Sequence, residues 1–385
     1  MEAIVLAGGL GTRLRQAVPD LPKPMAPVAG RPFLRYLLDQ LASSGFERVV
    51  LAVGYRYEVI RDFFGSAYRG LELVYSCENE PLLTGGAIKE ALRNCEGERV
   101  FVMNGDTYTR VEFGGMWASA ALEQADLVLA VARQEAGHRY GSVILESPGA
   151  EVSGLTRVRG FLGGGRGRDG WINLGVYCMR RDLLDHMPHK FSFETDFMEQ
   201  QLDERGLFAC PQSNDFIDIG VPADFSRAQT MFSAMTQPSR IAFFDRDGTL
   251  NRDTGYFHDP NELELIPETV LAMRAFRDAG YHIVVVTNQA GIARGFYGVD
   301  DMRAVNRELN RLLNLSGTSV DAFYYCPHHP DFTGVCSCRK PQPGLFVSAL
   351  RDFEADPADC VMYGNSEADQ LAAQAAGVRR YFMVL

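Results

Sequence analysis

The chain has 385 residues, 46% of them apolar and 23% charged, and a formal net charge of −11. That length exceeds one ordinary core and calls for two domains, and no apolar run is long enough to cross a bilayer as a helix. No Lys/Arg block accompanies the acidic balance, so neither nucleic acid nor a membrane is an expected partner, whereas a small anionic substrate needs only a few local cations and amides.

The first nine residues lack the basic start and unbroken apolar stretch of a signal peptide, which points to a cytoplasmic protein. Ala3 to Leu6 reads as a short strand running into glycines, and Leu34, Leu37, Leu38 and Leu41 recur at helical spacing. Val49 to Val53 reads as a buried strand, Thr84 to Leu92 as a helix, and Arg99 to Met103 as a strand ending at Asn104-Gly105-Asp106. Strands alternating with helices imply a parallel sheet covered on both faces, with ligands beyond the carboxyl ends of its strands. Residues 163–168 read as a surface loop. A polar, proline-containing stretch at 234–239 separates the halves and sets domains at 1–235 and 240–385. The alternation then restarts, with strands expected at Ile241–Phe244, Tyr281–Thr287, Asp321–Tyr325, Cys360–Tyr363 and Arg380–Val384. The fold class is therefore α/β, in two doubly wound domains.

In the first half, Leu6-Ala7-Gly8-Gly9-Leu10-Gly11-Thr12-Arg13 follows a strand, where glycines allow a tight turn and aim amides at an anion. Arg13 and Lys23 add two fixed cations, a set that suits a nucleoside triphosphate, although the spacing is neither a P-loop nor a dinucleotide fingerprint. Asp106 and Asp218 stand at two strand ends and can share one Mg²⁺. Either Asp alone reads as a cap or turn residue.

These segments, with Thr84-Gly85-Gly86-Ala87, Asn173-Leu174-Gly175-Val176-Tyr177 and Asp218-Ile219-Gly220 in order, resemble the sugar-1-phosphate nucleotidyltransferases, and within them the D-glycero-α-D-manno-heptose 1-phosphate guanylyltransferases. The resemblance covers roughly residues 1 to 232. It implies a Rossmann-like domain in which a sugar 1-phosphate attacks the α-phosphorus of an NTP. It implies that Leu6, Gly8, Gly9, Gly11, Thr12 and Arg13 hold the nucleotide and that Lys23 neutralises charge. It also implies that Gly85 and Gly86 let the base lie close to backbone, that Asp106 and Asp218 bind Mg²⁺, and that Asn173 and Gly175 contact the sugar.

In the second half, Ile241 to Phe244 delivers Asp245 at a strand end, with Asp247 two residues on. One carboxylate can attack phosphorus while the other protonates the leaving oxygen and then activates water. Thr287 and Asn288 supply phosphate donors, Arg339 and Lys340 supply cations, and Gly364-Asn365-Ser366-Glu367-Ala368-Asp369 offers oxygen ligands for Mg²⁺. Of eight cysteines, Cys326, Cys336 and Cys338 crowd beside His328, a closed tetrahedral set for structural Zn²⁺.

Together these resemble the haloacid-dehalogenase-type phosphatases across 240–385, and the segments around Asp245, Thr287 and Cys326 resemble heptose-1,7-bisphosphate 7-phosphatases. The resemblance makes Asp245 the nucleophile and Asp247 the general acid and base. Thr287, Asn288 and Lys340 then bind the phosphoryl group, and Asp245, the Asp247 carbonyl and Asn365 bind Mg²⁺. Relatives usually carry Asp at position 365; an amide still ligates through oxygen but removes a charge. The implied whole is a bifunctional enzyme. It frees heptose 1-phosphate from heptose 1,7-bisphosphate and joins it to a nucleotide, GTP being the expected donor. Alternatives are another sugar nucleotide, a histidinol-phosphate-like phosphatase half, or a half that binds without catalysis. A homo-oligomer is compatible with each.

Overall fold

Ala3, Ile4 and Val5 are all fully buried, which a strand can satisfy only when both faces of its sheet are covered. Ala3 and Val5 join one apolar cluster and Ile4 the other, as alternating side chains must. The computed structural model describes residues 1–9, 14, 18, 21–78, 80–134, 141–146, 154–162, 170–200, 206–213, 215–233 and 239–383. Gly11, Thr12, Arg13, the expected loop at 163–168, Val384 and most of the stretch at 234–239 lie outside the described residues.

The chain divides into two units, Met1–Thr236 and Gln237–Leu385. In the first, β1 (Glu2–Leu6), α1 (Phe33–Ser43), β2 (Arg48–Val53), α2 (Tyr57–Phe64), β3 (Leu71–Cys77), α3 (Leu83–Ala91) and β4 (Arg99–Asn104) follow the expected alternation. Then come β5 (Thr107–Thr109), α4 (Phe113–Leu122), β6 (Leu127–Gln134), β7 (Ser142–Leu145), β8 (Thr156–Leu162), β9 (Gly170–Arg180), β10 (Leu207–Pro211), β11 (Phe216–Asp218) and α5 (Pro222–Ser233). The main sheet runs β7-β8-β10-β6-β9-β4-β1-β2-β3, with Ala67–Tyr68 at the β3 edge.

The sheet is mixed, not parallel throughout as the alternation of strands and helices predicts. β4, β1, β2 and β3 are parallel, but β9 lies antiparallel between β4 and β6. The described residues between β6 and β9 contain no helix, whereas a parallel return would need a crossover connection. β11 is not in this sheet. It pairs with β5, setting Asp218 opposite Thr107 and so beside Asp106.

The second unit consists of β12 (Ile241–Phe244), α6 (Pro267–Asp278), β13 (His282–Asn288), α7 (Val299–Leu315), β14 (Ala322–Cys326), α8 (Gly344–Phe353), β15 (Val361–Gly364), α9 (Glu367–Ala375) and β16 (Arg380–Met383). Its sheet, ordered β14-β13-β12-β15-β16, is parallel throughout. Ile241 and Phe243 face one cluster and Ala242 and Phe244 the other.

Candidate active sites

In the first unit, the carboxyl ends of β1 and β4 come together where Gly105 N–H donates to the Leu6 carbonyl at 2.9 Å. Asp106 follows at once. The Lys23 ammonium bonds directly to Asp106 and lies 3.6 Å from Asp218, whose Oδ1 is fixed by the Gly220 N–H at 2.6 Å. Both carboxylates therefore converge on one ammonium. Gly8, just past β1, packs so near Gly54 and Glu78 that a Cβ would lie 3.3 Å from each, whereas beside Gly9 there is open space.

The glycines of α3 have a packing reason. A Cβ on Gly85 would fall within the Phe191 ring, and one on Gly86 would strike the His189 carbonyl. Their N–H groups donate to the Phe191 carbonyl at 3.0 and 3.3 Å, and Thr84 Oγ1 accepts from Phe193 N at 2.9 Å. This segment anchors 191–193, and its two glycine amides are already engaged there.

A cleft of about 390 Å³ is lined by Asn104, Thr107, Asn173, Gly175, Glu194 and Asp218 among others. Gly175 has φ +69°, and a Cβ there would collide with the Asn104 amide, so the irregular stretch of β9 between Asn173 and Tyr177 needs glycine. Asn173 Oδ1 accepts from Gly175 N at 2.9 Å, and its Nδ2 donates to the Tyr177 hydroxyl at 2.7 Å. Burial pushes Glu194 above the usual carboxylate range; the Tyr177 hydroxyl draws it back, and the charges of Glu199 and Asp106 push it up further. Nothing in the sequence marked Glu194, which sits among phenylalanines interleaved with polar residues.

In the second unit, Asp245 stands just past β12 and its N–H donates to the Tyr363 carbonyl. Lys340 is buried, with Nζ 2.6 Å from Asp245 Oδ1, 2.5 Å from Asp369 and 2.8 Å from the Val286 carbonyl. Asn288 and the Lys340 backbone exchange two hydrogen bonds, at 3.0 and 3.1 Å, so β13 sets the height of the lysine. Burial pushes Asp245 up to about 6; Lys340 pulls it down and Asp369 pushes it up. Burial pulls Lys340 down, but its two carboxylates more than restore it and keep it charged.

Asp247 is held on both oxygens. Arg246, fully buried, grips it with Nε and Nη2 at 2.9 and 3.0 Å, and Asn251 and Gln289 add bonds at 3.2 and 2.8 Å. Gln289 also donates to Thr287 Oγ1 at 2.9 Å and accepts from the Tyr297 hydroxyl at 2.7 Å. Asn365 Nδ2 lies 3.3 Å from the Asp247 carbonyl, and Gly248, at φ +77°, leaves the room that amide occupies. Asp245, Asp247, Thr287, Asn288, Arg339 and Lys340 all line one cleft of about 400 Å³. Asp253, Tyr256 and Tyr297 line it too; sequence reasoning missed them because they carry no motif of their own.

Cys326, His328, Cys336 and Cys338 put their ligand atoms within 4.8 Å of one another. Sulfur–sulfur separations are 3.3–3.6 Å and His328 Nδ1 is 3.3 Å from Cys338 Sγ. A tetrahedral metal with sulfur at about 2.3 Å needs edges of about 3.8 Å, so the set is dimensioned to hold one ion. Arg339 Nη1 donates to the His328 carbonyl at 3.3 Å, tying the cleft to this centre.

Two α/β units, each with carboxylates and a lysine gathered at the carboxyl ends of its strands, define a chain with two phosphate-handling sites. The family model for nucleotidyl transferases matches residues 2–234, and that for haloacid dehalogenase-like hydrolases matches 236–377. The chain is similar to the D-glycero-alpha-D-manno-heptose 1-phosphate guanylyltransferase of Aneurinibacillus thermoaerophilus, 41% identical over 231 residues, which are 60% of this chain and 97% of that one. It is similar also to the D-glycero-beta-D-manno-heptose-1,7-bisphosphate 7-phosphatase of Haemophilus ducreyi, 39% identical over 150 residues, 38% of this chain and 82% of that one. The crystal structure of HddC from Yersinia pseudotuberculosis complexed with GMP-PN aligns at 33% identity with a TM-score of 0.52, covering 60% of this chain and 99% of that one. The chain belongs to the nucleotidyl transferase family over its first unit and to the haloacid dehalogenase-like hydrolases over its second, both families of enzymes. Among the described residues no helix is long and apolar enough to cross a membrane.

Proposed function

We propose that this chain makes a nucleotide-activated heptose in two steps. The second unit removes the 7-phosphate of heptose 1,7-bisphosphate, and the first joins the resulting heptose 1-phosphate to GMP from GTP, releasing pyrophosphate. The reading rests on one observation: each sheet of one chain carries its own carboxylate–lysine centre, and relatives of the two units act on successive compounds.

In the phosphatase step, Lys340 holds Asp245 Oδ1, and the other carboxylate oxygen attacks the 7-phosphorus. The bond to the C7 oxygen breaks as that oxygen takes a proton from Asp247. Asp247 then takes a proton from water, which opens the aspartyl phosphate, frees phosphate and restores Asp245. Thr287, Asn288 and Lys340 receive the phosphoryl oxygens. Asp245, the Asp247 carbonyl and Asn365 would hold Mg²⁺, which supplies charge neutralisation there. The three thiolates and His328 would hold structural Zn²⁺.

In the transferase step, an oxygen of the sugar 1-phosphate bonds to the α-phosphorus while the bond to pyrophosphate breaks. Lys23 offsets the charge of the approaching phosphates, and the glycine loop with Arg13 holds the nucleotide. Asp106 and Asp218 would hold Mg²⁺. Cleavage at C7 leaves C1 untouched, so both units must accept the same anomer. The transferase relative's name specifies alpha and the phosphatase relative's beta.

The test is mass spectrometry of products from each heptose 1,7-bisphosphate anomer with Mg²⁺ and GTP, ATP, CTP or UTP. The unmodified protein is expected to form GDP-heptose from one anomer. Asp245→Asn should stop at the bisphosphate and Asp106→Ala at the 1-phosphate. Conversion of supplied heptose 1-phosphate with no phosphate release from the bisphosphate would remove the phosphatase half of the proposal.

A further inference from the structure

The stretch that α3 anchors, Phe193–Met198, winds as a π-helix, a rare form that is frequent at functional sites. Phe193 and Phe197 are buried in the core, while Glu194 and Thr195 line the cleft beside Asp218. A directed chain of hydrogen bonds ends there. Gly175 N–H occupies Asn173 Oδ1, Asn173 Nδ2 donates to the Tyr177 hydroxyl, and that hydroxyl lies 3.5 Å from Glu194 Oε1, the acceptor left for its proton. A carboxylate at the end of such a chain has only acceptor capacity to offer, and in this cleft the natural donors are sugar hydroxyls.

The charge of the wall is equally one-sided. The charged residues among the described lining are Glu194, Glu199 and Asp218; no Lys, Arg or His is among them. Lys23 approaches through Asp218, at 3.6 Å, where an anomeric phosphate would lie. Among the described residues of the lining, a second phosphate elsewhere in the cleft would face carboxylates with no counter-charge.

We infer that Glu194 determines acceptor specificity: it accepts hydroxyl hydrogens from a sugar 1-phosphate and turns away a sugar that carries a second phosphate. The inference rests on the transferase reading above. It assigns the order of the two reactions to this cleft, because a bisphosphate must lose its remote phosphate before nucleotidyl transfer.

The experiment uses the full chain carrying Asp245→Asn, so that bisphosphate survives the assay. Pyrophosphate release is measured with GTP and either heptose 1-phosphate or heptose 1,7-bisphosphate. The kcat/KM for the monophosphate is expected to exceed that for the bisphosphate about a hundredfold, since like charges placed together repel. Adding Glu194→Gln should shrink that ratio at least tenfold, raising KM for the monophosphate and lowering it for the bisphosphate. Tyr177→Phe, which keeps the ring and removes the hydroxyl, should shrink it less and serves if Glu194→Gln fails to fold. Equal use of both sugars, or a ratio unmoved by either variant, overturns the inference alone. No pyrophosphate from the monophosphate with the unmodified protein removes the transferase reading and this inference with it.

Discussion

Asp245 must be ionised to attack phosphorus, yet it is nearly sealed from water and its carboxyl is pushed up to about 6. A protonated carboxyl is no nucleophile, so phosphatase kcat/KM should fall once the pH drops far enough to protonate Asp245, and because Mg²⁺ beside it would pull the carboxyl down, that limb should move to lower pH as Mg²⁺ is raised. Lys340 supplies the charge that pulls Asp245 down. Lys340→Met should therefore move the acid limb to higher pH and lower the rate at neutral pH by about a hundredfold or more. Phosphate release followed across the pH range checks both, and a limb that stays in place would separate Lys340 from the ionisation of Asp245. The motif residues around Asp245 and Asp247 were legible in sequence because each strand end delivers them in a fixed local order. That Arg246 turns inward to clamp its neighbour Asp247, or that Gln289 bridges Asp247 to Thr287, was not: the first depends on burial of the loop after β12, and the second on a residue just past β13.

At the scale of elements, α3 illustrates how a motif can be recognised and its physical reason missed. Thr84-Gly85-Gly86 was readable, but its partner Phe191 lies about a hundred residues away. Gly85→Ala should destabilise the first unit by about 1–3 kcal/mol through overpacking against the Phe191 ring, measured by denaturant unfolding, and should depress pyrophosphate release. A variant as stable as the parent would show that the ring can yield. The loop between Cys326 and Cys338 makes a second case. Cys336→Ser should cost the protein about one equivalent of bound zinc, read by elemental analysis, and raise KM for phosphatase substrate, because Arg339 hangs on the His328 carbonyl. Retention of the ion would remove Cys336 from the ligand set.

At the scale of the whole molecule, the described residues give each unit two apolar clusters of its own, one on either face of its sheet. Phe346 is fully buried against Phe243, with ring centroids 4.8 Å apart. Phe346→Ala should cost about 3–5 kcal/mol. In calorimetry it should lower one unfolding transition and leave the other in place; a joint shift would mean that the units unfold as one. The two α/β patterns, the acids at their strand ends and the soft ligands of the cysteine loop can be read from residue order, because period, turn chemistry and ligand spacing act over a few residues. The antiparallel course of β9 through the first sheet, the approach of Asp218 to Asp106 through the β5–β11 ribbon and the place of Glu194 in the cleft wall arise in the folded chain. Those arrangements depend on strand order and on contacts between distant segments, which no local pattern encodes.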